Sequence, residues 1–335
     1  MEISENNECD ELMDNMFDGL QGKRIAITGG NGYIGSALVE NLQKNSIEVI
    51  RICRKKIPSI VGVIDIIADI RMYDIWPEVV DRADVIICLA GNTSVYAAEK
   101  DVEENLHSTL LPLNNLIKAV KKSNKIPRVV YASTVTVYGM TSEFPVSETA
   151  KENPITTYDL HKLFAEQLLE MATRQGFLSS VSLRLANVYG PSLTNHSASD
   201  RGVLNKIVCE AVNGKDLQVF GSGDYLRDYI YIDDVTSAFI YASHTEGLEG
   251  RSFNISNGIG YTLNDAFELV VKETSSVIGK NIKVDHVPWP EEANQIEYRN
   301  FVGNNSLFSE MTKWTPQVSL EVGIRKLIDV FQERL

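Results

Sequence analysis

No apolar run in this 335-residue chain is long enough to cross a bilayer, and its first 20 residues hold seven acids and no Lys or Arg, the reverse of a secretion signal. Cysteine is scarce. Cys9, Cys53, Cys88 and Cys209 are widely spaced and form no C-x-x-C pair, which excludes a disulfide framework, leaves no metal site to expect and suits the reduced thiols of a cytoplasmic protein. Positive charge is in deficit: 32 Lys and Arg stand against 45 Asp and Glu, a net charge of -13. The concentrated positive field that a nucleic acid or an anionic membrane needs is therefore missing. Internal repeats and low-complexity tracts are absent too. What the chain does have is 44% hydrophobic content, enough for a sizeable core in one large domain or two intimate ones. Its expected partner is a small molecule.

From Lys23 onward, strand-like runs alternate with helical patterns: "RIAIT", a helix over residues 36–45, "IEVIRI", "GVIDIIADI", "ADVIICLAG", a helix over 105–123, "RVVYAST", a helix through 158–174, and "SVSLRLA". Such alternation predicts an α/β fold with a doubly wound parallel sheet and right-handed crossovers. Beyond Pro191 the pattern loosens into a smaller lobe interleaved with the sheet. In the acidic leader, Leu12, Met13, Met16, Phe17 and Leu20 recur at helical spacing, which fits a docked amphipathic helix or a frayed extension equally well.

"ITGGNGYIG" follows the first strand and opens a helix, so Gly30, Gly32 and Gly35 spell G-x-G-x-x-G in the context that dinucleotide binding requires. Glycine permits the tight turn and lets amides of Gly29, Gly32, Tyr33, Ile34 and Gly35 and the helix N-terminus approach a pyrophosphate. The end of the second strand should carry an Asp or Glu for the adenosine ribose. Cys53 stands there instead. Arg54 with Lys55 or Lys56 suits a dianionic 2'-phosphate, so NADP(H) is favoured as cofactor, with NAD(H) as the alternative. Asp69, before Ile70 and ending the third strand, is placed for the adenine amino group, while Leu89, Ala90 and Gly91 at the end of the fourth admit the nicotinamide ribose.

In "TTYDLHKLFAEQLLE", Tyr158 and Lys162 share one helical face. The same spelling occurs in "YAAEK", residues 96–100, but Tyr158 keeps better company because "RVVYAST" places Ser133 and Thr134 at the end of a strand, where doubly wound sheets do their chemistry. A phenol with a pKa of about 10 is a poor acid-base group at neutral pH, and the Lys162 ammonium should stabilise its phenolate. Thr134, Tyr158 and Lys162 are thus the catalytic candidates: Thr134 holds the reacting oxygen, Tyr158 moves its proton, and Lys162 also holds the cofactor ribose.

Taken together, "TGGNGYIG", "LAGNTSV", "ASTVTVYG", "YDLHK", "LRLANVYGP", "VFGSGDYLRDYIYIDDV" and "FNISNG" resemble, in order, the extended short-chain dehydrogenase/reductases that modify nucleotide-linked sugars. The resemblance spans nearly everything from Lys23 to Leu335. It implies a Rossmann dinucleotide-binding domain over residues 21–190 with 229–257, a smaller interleaved C-terminal nucleotide-sugar-binding domain over 191–228 with 258–335, and an acidic extension over 1–20. It also implies substrate-binding roles: Asn187, Arg227 and Arg299 at the diphosphate, and Phe220 with Gly221 near the base. Two buried guanidinium groups are what a diphosphate needs to offset its desolvation.

Departures from the family narrow the reaction. Its 4,6-dehydratases carry Asp-Glu directly after the catalytic Thr, where this chain has Val135 and Thr136, so dehydration is disfavoured. The basic turn at Arg54 favours net reduction by NADPH of a 4-keto, often 6-deoxy, nucleotide-linked sugar in deoxysugar or surface-polysaccharide synthesis. The alternative is a nucleotide-sugar 4-epimerase using the same residues with tightly held cofactor. A third reading, a noncatalytic NADP sensor, conflicts with an intact Tyr158 and Lys162. The family resemblance further implies a homodimer through a four-helix bundle; Leu106, Leu110, Leu113 and Leu116 form an apolar stripe that suits either that contact or the sheet.

Overall fold

A computed structural model describes residues 16–192 and 202–334. The strands are β1 (Arg24–Thr28), β2 (Glu48–Cys53), β3 (Val63–Ile67), β4 (Val85–Cys88), β5 (Arg128–Thr134), β6 (Ser179–Leu185), β7 (Asn187–Tyr189), β8 (Leu217–Phe220), β9 (Leu226–Tyr231), β10 (Arg251–Ile255), β11 (Gly260–Thr262) and β12 (Val284–Val287). Seven of them form one sheet in the order β3-β2-β1-β4-β5-β6-β10, with every pairing parallel. The four residues of β4 are all buried, as expected of a strand covered on both faces by crossover helices. The order reverses between β1 and β4, and the crevice beyond their C-terminal ends is where doubly wound sheets bind ligands.

The helices that matter most are α1 (Tyr33–Lys44), α2 (Trp76–Arg82), α3 (Val95–Lys100), α4 (Val102–Val120) and α5 (Thr157–Arg174). Further along the chain follow α6 (Val203–Val212), α7 (Ile232–His244), α8 (Leu263–Ile278), α9 (Ser306–Thr312) and α10 (Leu320–Gln332). Helix α7 returns to pack on the large sheet, whereas Leu204 of α6, Phe267 of α8 and Ile324 of α10 build a second core with Tyr189 and Tyr229. Two small sheets, β11-β9-β7 and β12-β8, sit on that second core. Among the described residues no helix is long and apolar enough to cross a membrane, and no group of three or more His, Cys, Asp or Glu is placed to hold a metal ion.

Element ends differ from the sequence reading in ways that matter for the crevice. The ladder between β2 and β3 stops at the Cys53–Ile67 rung, so Asp69 and Ile70 lie in the turn beyond rather than in the strand. Likewise β4 stops at Cys88, opposite Thr28, which leaves Leu89, Ala90 and Gly91 in the loop. Helix α4 begins at Val102, three residues early, because the Asp101 side chain caps it by accepting from the Glu104 amide. Its apolar stripe divides: Leu113 and Leu116 are buried against the sheet, while Leu106 is 40% exposed. Met16, Phe17 and Leu20 of the leader are buried in the same cluster as Ile25 and Ile27 of β1, so this part of the extension is docked; Leu12 and Met13 lie outside the described residues.

Candidate active site

The glycine turn between β1 and α1 is compressed to backbone contact. Gly29 adopts φ +69°, and a Cβ on Gly35 would stand 2.2 Å from the Gly29 carbonyl oxygen. Gly29, Gly32 and Gly35, three apart, are the turn glycines whose Cβ would press on backbone. Gly30 serves another purpose: its missing side chain makes room for Arg51 of β2, whose Cγ would be 2.7 Å from a Cβ there. Helix α1 begins at Gly32 with no side-chain cap and no acid in its first turn, so its dipole and its amides at Tyr33, Ile34 and Gly35 are open to an anion. The Tyr33 side chain itself turns away and donates to the Gly190 carbonyl at 2.8 Å.

At the end of β2 the chain separates structural from available charge. Arg51 is buried and forks onto Asp65 at 2.7 and 3.0 Å. Cys53 is buried as well, and its thiol donates to the Lys55 carbonyl at 3.3 Å, which shapes the turn. Arg54, Lys55 and Lys56 stand exposed. Asp69 is engaged by Arg71, whose hydrogen bonds hold the Asp69 carboxyl below the usual carboxylate range. Thr28 was missed by the sequence reading: its Oγ1 accepts from the Leu89 and Ala90 amides at 3.1 and 3.2 Å, tying the ends of β1 and β4 together. A cavity here is lined by Thr28, Ile70, Ala90, Gly91, Tyr131 and Lys162. These features fit a dinucleotide, since the turn glycines leave no side chains over the backbone amides and the helix end lacks a competing acid.

Lys162 and Tyr158 do project together from α5, with Lys162 Nζ 5.8 Å from the Tyr158 ring centre and 4.8 Å from that of Tyr131. Lys162 is buried and donates to the Ala132 carbonyl of β5 at 2.7 Å. Burial pushes its ammonium down to about 8, against the opposing pull of Glu166. The same burial, with the Asp159 charge beside it, holds the Tyr158 phenol well above its ordinary value. Desolvation is the largest influence on that phenol in the unliganded protein. Thr134 ends β5 with its Oγ1 2.9 Å from the Thr136 hydroxyl. The look-alike Tyr96 is elsewhere engaged, bonded to Glu297 and to the Asn294 amide.

Three elements of the smaller lobe bring the other candidates together. Arg299 donates to Asn187 Oδ1 at 3.2 Å and to the Ile296 carbonyl, yet its Nε is buried without a partner. Arg227 spends its terminal N–H groups on the carbonyls of Leu226, Glu297 and Arg299, so it braces the Arg299 segment from behind. Burial and the neighbouring Arg299 push Arg227 down to about 10. Phe220 is 37% exposed, not core, and stacks on Trp289 at 5.3 Å, with Gly221 at φ +69° where a Cβ would strike the indole. Trp289, Tyr225 and Tyr298 complete this aromatic cluster and carried no motif to find them by.

The family model for the NAD dependent epimerase/dehydratase family matches residues 25–256, from β1 to the end of the large sheet. This chain belongs to that family. It is accordingly an NAD(P)-dependent enzyme with the family's Rossmann sheet. Among its relatives are a UDP-glucose 4-epimerase of Mycolicibacterium smegmatis, 26% identical over 93% of this chain and 99% of the relative, and a dTDP-4-dehydro-6-deoxyglucose reductase of Escherichia coli, 27% identical over 91% and 96%. A solved UDP-glucose 4-epimerase of Thermotoga maritima, crystallised with UDP-glucose, superposes with a TM-score of 0.82 at 26% identity, covering 93% of this chain and 99% of that one. The family's glycine turn gives a direct test. Gly35→Ala, which drives a methyl into the Gly29 carbonyl, is expected to weaken NAD(P)(H) binding by at least about tenfold as read by protein fluorescence.

Proposed function

We propose that this enzyme reduces the 4-keto group of a nucleotide-linked, often 6-deoxy, sugar with NADPH, Tyr158 giving the proton. The observation that carries this reading is the basic turn after β2, where Arg54, Lys55 and Lys56 stand exposed in place of an acid, together with Tyr158 and Lys162 projecting side by side from α5. Gly29, Gly32, Tyr33, Ile34 and Gly35 would hold the cofactor pyrophosphate through backbone amides. Arg54 and Lys55 would pair with a 2'-phosphate, Asp69 and Ile70 would meet the adenine, and Leu89, Ala90 and Gly91 with Tyr158 and Lys162 would take the nicotinamide ribose. Bound there, the cofactor supplies the hydride. Thr134 holds the reacting oxygen, Asn187 and the unpartnered Nε of Arg299 face the diphosphate, Arg227 fixes Arg299, and Phe220 offers a stacking face to the base.

A second reading, a nucleotide-sugar 4-epimerase with retained NAD(P), uses the same Thr134, Tyr158 and Lys162. Its support is the likeness to UDP-glucose 4-epimerases over almost the whole chain. Absorbance of NADPH separates the two: stoichiometric loss with a panel of nucleotide-linked 4-keto-6-deoxy sugars is expected, whereas turnover of a nucleotide sugar with no net cofactor change means epimerisation. Tyr158→Phe should lower the rate by about a hundredfold or more; an undiminished rate sinks both readings.

The pH dependence follows from Lys162. A lysine pushed down keeps its ammonium below about 8 and loses it above, so reduction is expected to decline as pH rises through about 8. Lys162→Met should be slow and lack that limb in a kcat/KM profile. We also propose a homodimer through α4 and α5, which pack on each other and leave Leu106, Leu160, Phe164 and Met171 exposed. Sedimentation at twice the 37.3 kDa chain mass, reduced to the single mass by Phe164→Asp, is the expected result.

A further inference from the structure

Lys162 is a buried cation, and the polar groups around it do little to hold its charge. Its Nζ donates to the Ala132 carbonyl. Glu166, one turn along α5, is the carboxylate that favours the ammonium, yet its oxygens are given to Ser133, Arg184 and Ser252. Cys88 at the end of β4 also faces the lysine, but burial pushes its thiol up to about 12, so it brings no charge near neutral pH. From α4 the cavity at Lys162 receives Thr109, Pro112 and Leu113, none of them titratable. On its own helix the Tyr158 ring centre stands 5.8 Å away, with its phenol raised by burial.

The Tyr131 ring is nearer. Lys162 Nζ lies over it, 4.8 Å from its centre, within the roughly 6 Å over which a cation is attracted to the negative face of an aromatic ring. Alternate residues of a strand share a face, so Tyr131 and Ser133 of β5 both point at α5, where Ser133 meets Glu166 and Tyr131 meets Lys162. The Tyr131 hydroxyl takes no part: it is buried without a hydrogen-bond partner among the described residues. Tyr131 also packs with Leu113, Ala165 and Leu169, as a core residue would. Packing asks only for apolar area, however, and an aliphatic wall would return nothing to a desolvated ammonium.

Resting on the reading of Lys162 as the cation beside the proton-transferring Tyr158, which reduction and epimerisation share, we propose that Tyr131 is a positioning residue whose ring face, not its hydroxyl, keeps the Lys162 ammonium charged and in place. The ring stands in for the water that burial removes.

The test reads the lysine itself and needs no substrate. In protein whose lysines carry carbon-13 at Cε, the Lys162 signal is the one missing from Lys162→Met, and its shift against pH gives a titration midpoint, expected at about 8. Tyr131 is replaced by Phe and then by a mono- and a trifluorinated phenylalanine, which keep the ring in place while the fluorines drain its negative face. Only the charged lysine gains from that face, so its loss lowers the midpoint. Tyr131→Phe should titrate like the wild type, and the midpoint should fall stepwise with fluorine, by about one pH unit at three fluorines, a tenfold loss of proton affinity. The alkaline limb of turnover should fall with it. A midpoint unmoved by fluorine, or one already shifted in Tyr131→Phe, overturns the proposal. If the midpoint moves as expected but no nucleotide-linked keto sugar consumes NADPH, this inference stands and the reductase reading alone falls. Undiminished turnover in Lys162→Met removes Lys162 from the chemistry and the role of Tyr131 with it.

Discussion

Burial of the Glu166 carboxylate is the constraint on which the site hangs. Glu166 sits on α5 one turn beyond Lys162 and two beyond Tyr158, and only 5% of it is exposed. Its oxygens accept from Ser133 of β5, from the Arg184 fork of β6, and from Ser252 of β10. A buried carboxylate must be compensated where it lies. Because its partners come from three adjacent strands, compensating the charge and fixing the helix are one event. Arg184 reaches further to Tyr138 and Glu152, so the staple is part of a buried network and not an isolated pair.

Positioned in this way, Lys162 and Tyr158 are governed by desolvation more than by each other. The lysine is pushed down and the phenol up, the opposite of what a free ammonium-phenol pair would do in water. Desolvation is the larger influence on the phenol, and the Asp159 charge acts in the same direction.

The same economy of charge holds at the far end of the crevice. Arg227 is buried with Arg299 half-buried beside it; burial first and then the Arg299 charge push Arg227 down, and the hydrogen bonds of the pair run to carbonyls and to Asn187 rather than to carboxylates. Two cations kept close in an otherwise acidic protein, with one donor left over, make an arrangement that an anion completes. Arg51 is the counterexample: also buried, it is matched by a carboxylate, Asp65.

The doubly wound parallel sheet, the glycine turn and the Tyr158–Lys162 pair were legible in the sequence because each is written locally: apolar runs alternate with helical spacing, glycines follow a strand and open a helix, and two side chains share a helical face four residues apart. Element ends were not, since a strand stops where its partner stops, as at Cys53 and Ile67. Nor was the reach of Asp159 to Thr136, twenty-three residues away, which local spelling presents as a helix cap. The cluster of Phe220 with Trp289 is equally non-local. The sequence by itself determined which groups are present and which face each occupies. Only the tertiary structure decided how deeply each is buried and what compensates it, because desolvation and hydrogen-bond direction depend on atoms brought in from distant strands.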